Sequence, residues 1–145
     1  MRYVLVILCA YIVGSSSMSF YLSKLNGVEL RDKGSKNLGA SNAMILMGWK
    51  AGILVGIHDI GKSVIAVLLA NILFPDLPYV GVLAGVACVL GHIFPFYLKF
   101  KGGKGIASTA GLILAVHPNM FLIVAVVFIG IVLVTQYVSV ASIVI

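Results

Sequence analysis

Long apolar runs separated by short polar segments make up this chain. The apolar runs cover residues 3–23, 52–74, 79–98, 105–116 and 120–134. A helix needs about 20 residues to cross a bilayer, so the last two runs are short. One of these two helices is expected to be tilted, re-entrant or longer than its apolar run. The pattern predicts an all-α, polytopic membrane bundle of about five spans, with a C-terminal stub because residues 138–145 are too few to cross.

Composition supports the membrane assignment. The chain has 145 residues, of which 61% are hydrophobic and 10% charged, and a soluble globule could not bury that much apolar surface. The length predicts a single domain over residues 1–145. The basic residues lie between apolar runs and form no recognisable nucleic-acid-binding module. Cys9 and Cys88 lie inside apolar runs, so they predict neither a disulfide nor a metal site.

The N-terminal run has two interpretations. Arg2, an apolar run to Val13 and then small residues are typical of a secretory signal peptide. Apolar residues resume through Leu25, however, and the rest of the chain is itself membranous, which favours a spanning helix. The small residues 14–19 are then expected to form a close-packed helix face.

The basic residues are unevenly distributed along the chain. Of ten Lys and Arg, five lie in residues 24–50 and three in 99–104, and the predicted topology puts both segments on one side. The other side holds only Arg2, beside Asp76. Because cytoplasmic segments carry an excess of Lys and Arg, the basic side is predicted to be cytoplasmic and the N-terminus external.

Residues 91–105 combine lysines with glycines at a predicted membrane boundary. Lysines alone would be explained as a stop-transfer signal, but glycines add nothing to topology. They allow close backbone approach and are expected to leave N–H groups free to meet an anion, as a phosphate-bearing, lipid-related substrate requires. Leu98 stands where a Walker loop would have its first glycine. The residues concerned are Lys99, Lys101, Gly102, Gly103, Lys104 and Gly105.

Ionisable groups also occur inside the apolar runs. His92 lies just before Pro95, and two roles stay open for it: a structural histidine, or a general base or phosphate donor. Asp59 and Lys62 share a helix face, with His58 nearby. Ionisable residues within a span are costly and usually functional, although this pair can simply neutralise itself.

Residues 34–42 form a second segment of small and hydrogen-bonding residues just before a predicted helix. The segment is either an ordinary polar loop or an anion site built from hydroxyl and backbone N–H groups. No Asp or His adjoins Ser35, so a nucleophilic triad is not predicted. The candidate ligands are Gly34, Ser35, Asn37, Gly39 and Asn42.

These segments resemble the motifs of the bacterial acyl-phosphate-dependent glycerol-3-phosphate acyltransferases of the PlsY type. Residues 34–42 match the first motif, residues 91–105 the second, and Thr135-Gln136-Tyr137-Val138-Ser139 the third. Asp59 and Lys62 fit the D-x-x-K that follows the first motif. The resemblance covers nearly the whole chain.

The resemblance implies transfer of a long-chain acyl group from acyl phosphate to the 1-hydroxyl of sn-glycerol 3-phosphate, which yields lysophosphatidic acid for phospholipid synthesis. It implies a multi-pass protein of the bacterial inner membrane whose partners are acyl phosphate, glycerol 3-phosphate and membrane lipid. No cofactor, metal or nucleic acid is implied. Since acyl phosphate carries a good leaving group, the protein mainly has to position two anions and disperse charge.

The resemblance also implies site residues. The catalytic residues would be Ser35, His92 and Lys104, with a catalytic or a structural role for the histidine, and a substrate phosphate could act as the base. Asp59 and Lys62 would be polar groups within the membrane. The substrate-binding residues would be Gly34, Asn37, Gly39, Asn42, Lys99, Lys101, Gly102, Gly103, Thr135 and Tyr137.

The chain departs from the family pattern at three points. Ile45 and Gln136 stand where the family has arginines, and the family continues further at the C-terminus. Loss of these cations should weaken binding of phosphate groups. Two alternatives therefore stay open: a catalytically degenerate relative that binds phospholipid precursors, and a small membrane transporter subunit.

Overall fold

The computed structural model describes residues 1–144, so Ile145, the last residue of the predicted stub, lies outside the described residues. The described residues form helices joined by turns and loops, with no strand among them. The helices are α1 (Arg2–Ser15), α2 (Met18–Asn26), α3 (Ala40–Met47), α4 (Trp49–Leu73), α5 (Val80–Ile93), a 3-10 turn (Phe96–Leu98), α6 (Ile106–Val116), α7 (Pro118–Thr135) and α8 (Val138–Val144).

Four stretches are long and apolar enough, by length and composition, to cross a membrane. They are Arg2–Asn26, Trp49–Leu73, Val80–Leu98 and Pro118–Thr135. The remaining predicted span corresponds to α6, whose 11 residues are too few for a full crossing. The all-helical membrane bundle is therefore confirmed, with four full-length stretches and one short apolar helix where about five spans were expected.

The first span is interrupted at Ser16 and Ser17. The helix α1 ends at Ser15, and the Ser17 hydroxyl caps the start of α2. A helix break leaves backbone carbonyl groups without intrahelical partners, and within a membrane they need other donors. The Ser15 carbonyl accepts a hydrogen bond from the Tyr97 hydroxyl at 2.9 Å, and the Ser16 carbonyl accepts one from Lys62 Nζ at 2.7 Å.

Small residues allow α1 and α5 to pack closely. A side chain at Gly14 would overlap the backbone of Cys88, and one at Gly91 would overlap the carbonyl oxygen of Tyr11. Helices in membranes commonly associate through such positions. Since α5 also packs on α4, and α4 on α3 and α6, the centre of the bundle is formed by α4 and α5. The predicted close-packed face is observed at Gly14, Ser15, Ser17 and Ser19, which are buried.

Side-chain contacts sort the connecting segments into two ends of the bundle. At one end, Arg2 forms an ion pair with Asp76 at 2.7 Å, and its hydrogen bond lowers the pKa of that exposed carboxyl group. At the other end, Arg31 donates hydrogen bonds to the carbonyl oxygens of Leu98 and Lys101, at 3.3 and 3.0 Å. The two lysine-rich segments therefore lie together, as the charge distribution predicted.

Candidate active site

Asn42 organises the first polar segment. Its side chain is fully buried, and its amide nitrogen lies near three carbonyl oxygens, those of Leu30 (2.8 Å), Lys33 (3.3 Å) and Asn37 (2.9 Å). Its side-chain oxygen accepts the backbone N–H of Ser35 at 2.9 Å. The amide expected to contact substrate is thus occupied by the loop's own backbone.

The other predicted residues of this segment surround Asn42. Gly34 has a positive φ of 59°, and a side chain there would overlap the Asn42 side-chain oxygen. Asn37 accepts the N–H of Gly39 at 2.7 Å, which closes a turn directly before α3. Ser35 is exposed on the loop surface and Asn37 is half-buried. Hydrogen bonds within the segment therefore fix its conformation, and Ser35 is left at the surface.

Residues 99–105, which we call the glycine loop, fold back onto the end of α5. The N–H of Gly102 donates to the Ile93 carbonyl at 2.9 Å, and that of Gly103 donates to the His92 carbonyl at 3.1 Å. A side chain at Gly102 would overlap this same His92 carbonyl, and one at Gly103 would overlap the His92 imidazole. The expectation of free N–H groups is therefore wrong for these two glycines, which serve close packing instead, and the lysine side chains are left to meet an anion.

A cavity of about 420 Å³ opens between the two polar segments. It brings together four predicted site residues, Asn37, Lys99, Lys101 and Gly102. Four cationic side chains line it against one carboxylate, so its field favours an anionic ligand, and Arg and Lys donate strong hydrogen bonds to phosphate. The full lining is Arg31, Asp32, Lys36, Asn37, Leu38, Lys99, Lys101 and Gly102.

Arg31 and Lys36 are cavity residues that the sequence analysis missed. Nothing in the sequence separates them from the other charged residues of the 24–50 segment. Besides joining the two loops, Arg31 has a buried Nε that has no hydrogen-bond partner within residues 1–144.

Lys104 lies at a different opening, a groove of about 190 Å³ that is mostly apolar. The helices α6, α7 and α8 all contribute to its wall. Sequence analysis did not find Thr109 and Ser142, the two hydroxyl residues of this groove. An ammonium group beside an apolar groove suits a ligand with an anionic head and a hydrocarbon chain. The lining is Lys104, Ile106, Thr109, Ala110, Ile113, Val124 and Ser142.

His92, Asp59 and Lys62 meet in a buried cluster that lines neither opening. One carboxylate oxygen of Asp59, Oδ1, lies 3.1 Å from Lys62 Nζ, 3.3 Å from His58 Nδ1 and 3.4 Å from His92 Nδ1. Lys62 Nζ also lies 2.9 Å from His92 Nδ1. Two histidines approach one carboxylate, but no group of residues suited to a metal ion occurs within residues 1–144. The ammonium group of Lys62 lies between Asp59 and His92 instead.

Thr135 and Tyr137, from the third motif, lie at the end of α7 and line neither opening. The Thr135 hydroxyl donates to the Ile131 carbonyl at 2.7 Å and accepts the N–H of Tyr137 at 3.2 Å. Gln136, between them, has a positive φ of 60° and ends the helix. The contacts of this motif are therefore those of a turn between α7 and α8.

Comparison with known proteins decides among the interpretations. The family model described as glycerol-3-phosphate acyltransferase matches residues 4–145. The chain belongs to this family. A glycerol-3-phosphate acyltransferase of Macrococcus caseolyticus is 42% identical over 99% of this chain and 73% of the relative. Another, of Aquifex aeolicus, is 41% identical over 99% of this chain and 74% of the relative.

Two solved structures of PlsY (YgiH), an integral membrane glycerol 3-phosphate acyltransferase, share the fold. The glycerol 3-phosphate form has a TM-score of 0.92 and 40% identity, covering 99% of this chain and 72% of that chain. The lysophosphatidic acid form has a TM-score of 0.89 and 38% identity, covering 99% and 71%. The predicted family, the multi-pass helical fold and the assignment as an acyltransferase are confirmed. The alternatives, a precursor-binding relative and a transporter subunit, receive no support.

Proposed function

We propose that this chain transfers a long-chain acyl group from acyl phosphate to the 1-hydroxyl of sn-glycerol 3-phosphate, which forms lysophosphatidic acid and inorganic phosphate. The observation that carries the proposal is the cavity of about 420 Å³, where four cationic side chains from two loops surround a space suited to a phosphorylated ligand. The related PlsY structures, which are glycerol 3-phosphate and lysophosphatidic acid forms, support the same substrate and product.

The two openings take different substrates in this proposal. Glycerol 3-phosphate binds in the cavity, where its phosphate meets Arg31, Lys36, Lys99 and Lys101. The hydrocarbon chain of acyl phosphate lies in the apolar groove, with its phosphate at Lys104. Ser35 lines neither opening, and its role as a second donor rests on the family resemblance. Lys101 lines the cavity and Lys104 lines the groove, so the short glycine loop separates the two anions. The cations on both sides offset the repulsion between the substrates.

The reaction needs positioning and charge stabilisation more than an activated protein group. The substrate hydroxyl oxygen attacks the carbonyl carbon of acyl phosphate, and the bond from that carbon to the phosphate oxygen breaks. The phosphate leaves with the electron pair, and Lys104 stabilises the developing negative charge. His92 is buried and its Nδ1 is engaged by Lys62 at 2.9 Å, so a substrate phosphate oxygen takes the hydroxyl proton.

The remaining predicted site residues act by shaping the loops. Gly34, Gly39 and Asn42 hold the first segment, while Thr135 and Tyr137 hold the turn between α7 and α8. The protein resides in the bacterial inner membrane with both lysine-rich segments in the cytoplasm, because segments rich in Lys and Arg are retained on that side. Both substrate openings then face the cytoplasm.

The test is phosphate release from palmitoyl phosphate by the purified chain in detergent or liposomes. We expect release, with formation of lysophosphatidic acid, only when glycerol 3-phosphate is also present. Lys104→Ala should abolish it, whereas Lys33→Ala, an exposed lysine outside both openings, should not. A folded protein that binds palmitoyl phosphate without turnover would overturn the proposal in favour of a degenerate relative. Solute flux across liposomes would favour a transporter.

A further inference from the structure

We propose that Asp59, Lys62 and His92 form a positioning cluster that fixes the glycine loop and so sets the separation of Lys101 and Lys104. The kinetic part of this inference rests on the proposed function, because it assumes that the two lysines bind two substrates. The structural part does not, since the position of the loop can be measured without turnover.

The cluster begins with a lysine whose donors are all used. Lys62 Nζ lies 3.1 Å from Asp59 Oδ1, 2.7 Å from the Ser16 carbonyl and 2.9 Å from His92 Nδ1. An ammonium group has three hydrogens to donate, and here three acceptors surround it. His92 Nδ1 is therefore assigned as an acceptor, which leaves the ring proton on Nε2. The direction of the imidazole ring is thus set by Lys62.

The oriented ring then supports the glycine loop. A Cβ at Gly103 would overlap His92 Nε2, so the loop backbone rests directly against the edge of the imidazole. Next to this contact, the N–H of Gly102 donates to the Ile93 carbonyl and the N–H of Gly103 donates to the His92 carbonyl. A rotation of the ring would push into Gly103 and break this alignment. Lys101 and Lys104 flank the two glycines. The position of the ring therefore determines the backbone positions from which both lysine side chains extend.

Burial of charge is a poor way to gain stability, which argues for a positioning role. Lys62 and Asp59 are 5% and 2% exposed and lie within an apolar span, where ionisable side chains are costly. Apolar residues of similar volume often replace such a pair without loss of stability. What apolar residues cannot supply is directed hydrogen bonds. The break at Ser16 also supplies a carbonyl to this lysine. Lys62 on α4 therefore joins the break between α1 and α2 to His92 on α5, and His92 in turn contacts the loop.

The decisive variant removes both charges together. Asp59→Asn with Lys62→Met leaves no uncompensated charge in the membrane but takes away the donor that orients His92. We expect a midpoint of thermal unfolding close to that of the unaltered protein, with KM for glycerol 3-phosphate raised at least tenfold and a smaller change in kcat. Asp76→Asn, which breaks an exposed ion pair at the other end of the bundle, is the matched control and should change neither constant.

Hydrogen exchange tests the loop directly, with or without turnover. The amides of Gly102 and Gly103 should exchange at least tenfold faster in the double variant, while the amides in the middle of α5 keep their protection. Unchanged exchange together with an unchanged KM would refute the proposal and leave a pair that only neutralises itself. If the unaltered protein shows no turnover, the proposed function fails while this measurement still decides the inference.

A pair of single variants at His92 covers the case in which the double variant does not fold. His92→Asn keeps a side-chain acceptor near the position of Nδ1, whereas His92→Leu keeps apolar bulk without an acceptor. We expect His92→Asn to have the lower KM and the slower loop exchange of the two. Equal values in both variants would overturn the proposal, and an equal collapse of kcat in both would make His92 a catalytic base instead.

Discussion

The guanidinium group of Arg31 donates a hydrogen bond to the carbonyl oxygen of Lys101, at 3.0 Å and across 70 positions of sequence. The same nitrogen lies 3.3 Å from the carbonyl oxygen of Leu98. Arg31 therefore contributes to the cavity twice, because it joins the two loops and adds its own charge to the lining. A lysine supplies a charge but lacks the planar set of donors that can hold a carbonyl and a ligand together.

Arg31→Lys should therefore raise KM for glycerol 3-phosphate by about tenfold, the effect of losing one charge-assisted hydrogen bond. Arg31→Ala loses the charge as well and should raise KM by about 100-fold, by the same reasoning. The measurement is steady-state kinetics at saturating palmitoyl phosphate. Lys33→Ala, which removes an exposed charge from the same segment, is the control. Wild-type constants for Arg31→Lys would show that the bridge has no part in binding.

Asn42→Asp should destabilise the first loop although it scarcely changes the shape of the side chain. A carboxylate cannot donate to the carbonyls of Leu30 and Asn37, and it would be buried against them. We expect the free energy of unfolding to fall by about 1–3 kcal/mol, the cost of leaving buried polar groups unsatisfied, with a lower midpoint of thermal unfolding in detergent. Asn26→Asp is the control, because Asn26 is exposed and its side chain donates to one carbonyl within residues 1–144, that of Leu22. Equal midpoints for the two variants would contradict the role given to Asn42.

The positions of the spans follow from the sequence because the length of an apolar run sets the length of a helix in a bilayer. The run at 52–74 became α4 almost residue for residue, and the short run at 105–116 became the short α6. The break at Ser16 could not be predicted in this way, since apolar residues continue on both sides of it. The carbonyl groups that the break frees accept hydrogen bonds from Lys62 and Tyr97. Partners so distant in sequence leave no periodic signal in the pattern of apolar residues.

Three of the four lysines at the two openings follow from the sequence, but Lys36 and the use of each polar atom do not. Lys99 and Lys101, from the segment predicted to meet an anion, line one cavity. The charge count correctly placed the two polar segments on the same side. The sequence could not separate Arg31 from the other charges of its segment. Nor could it show that Asn42 points inward, because each of these roles depends on contacts with backbone atoms of residues elsewhere in the chain.

Asp32 is the one carboxylate among the cavity residues that the structure describes, so it is the protein group best placed to compete as a base. If a substrate phosphate takes the proton, Asp32→Asn should leave kcat nearly unchanged. KM for glycerol 3-phosphate should fall modestly, because removal of a negative charge favours an anion. Glu29→Gln, an exposed carboxylate outside the cavity, is the matched control. If Asp32→Asn alone lowers kcat by about 100-fold or more, the loss expected for a general base, Asp32 takes the proton instead.

Ile45→Arg and Gln136→Arg introduce arginines at the two positions where the resemblance implies them. Ile45 is 71% exposed on α3, so a larger side chain fits there without repacking. An added cation that reaches a substrate phosphate should raise kcat/KM by about tenfold, as one charge-assisted hydrogen bond would. Ile45→Gln separates the effect of charge from that of polarity and should give no such gain. If neither arginine raises kcat/KM, these two positions take no part in phosphate binding in this chain, contrary to the expectation.

The orientation in the membrane is tested with single cysteines at the two ends of the bundle. Lys33 lies at the lysine-rich end and Asp76 at the other, and both are exposed. In a Cys9→Ala background, since Cys9 is exposed and Cys88 is buried, a membrane-impermeant maleimide is added to spheroplasts. We expect Asp76→Cys to be labelled at once and Lys33→Cys only after the membrane is opened, because eight of the ten Lys and Arg lie in the two segments at the Lys33 end. The opposite order of labelling would put the substrate cavity outside the cytoplasm and contradict the proposed cytoplasmic position of both openings.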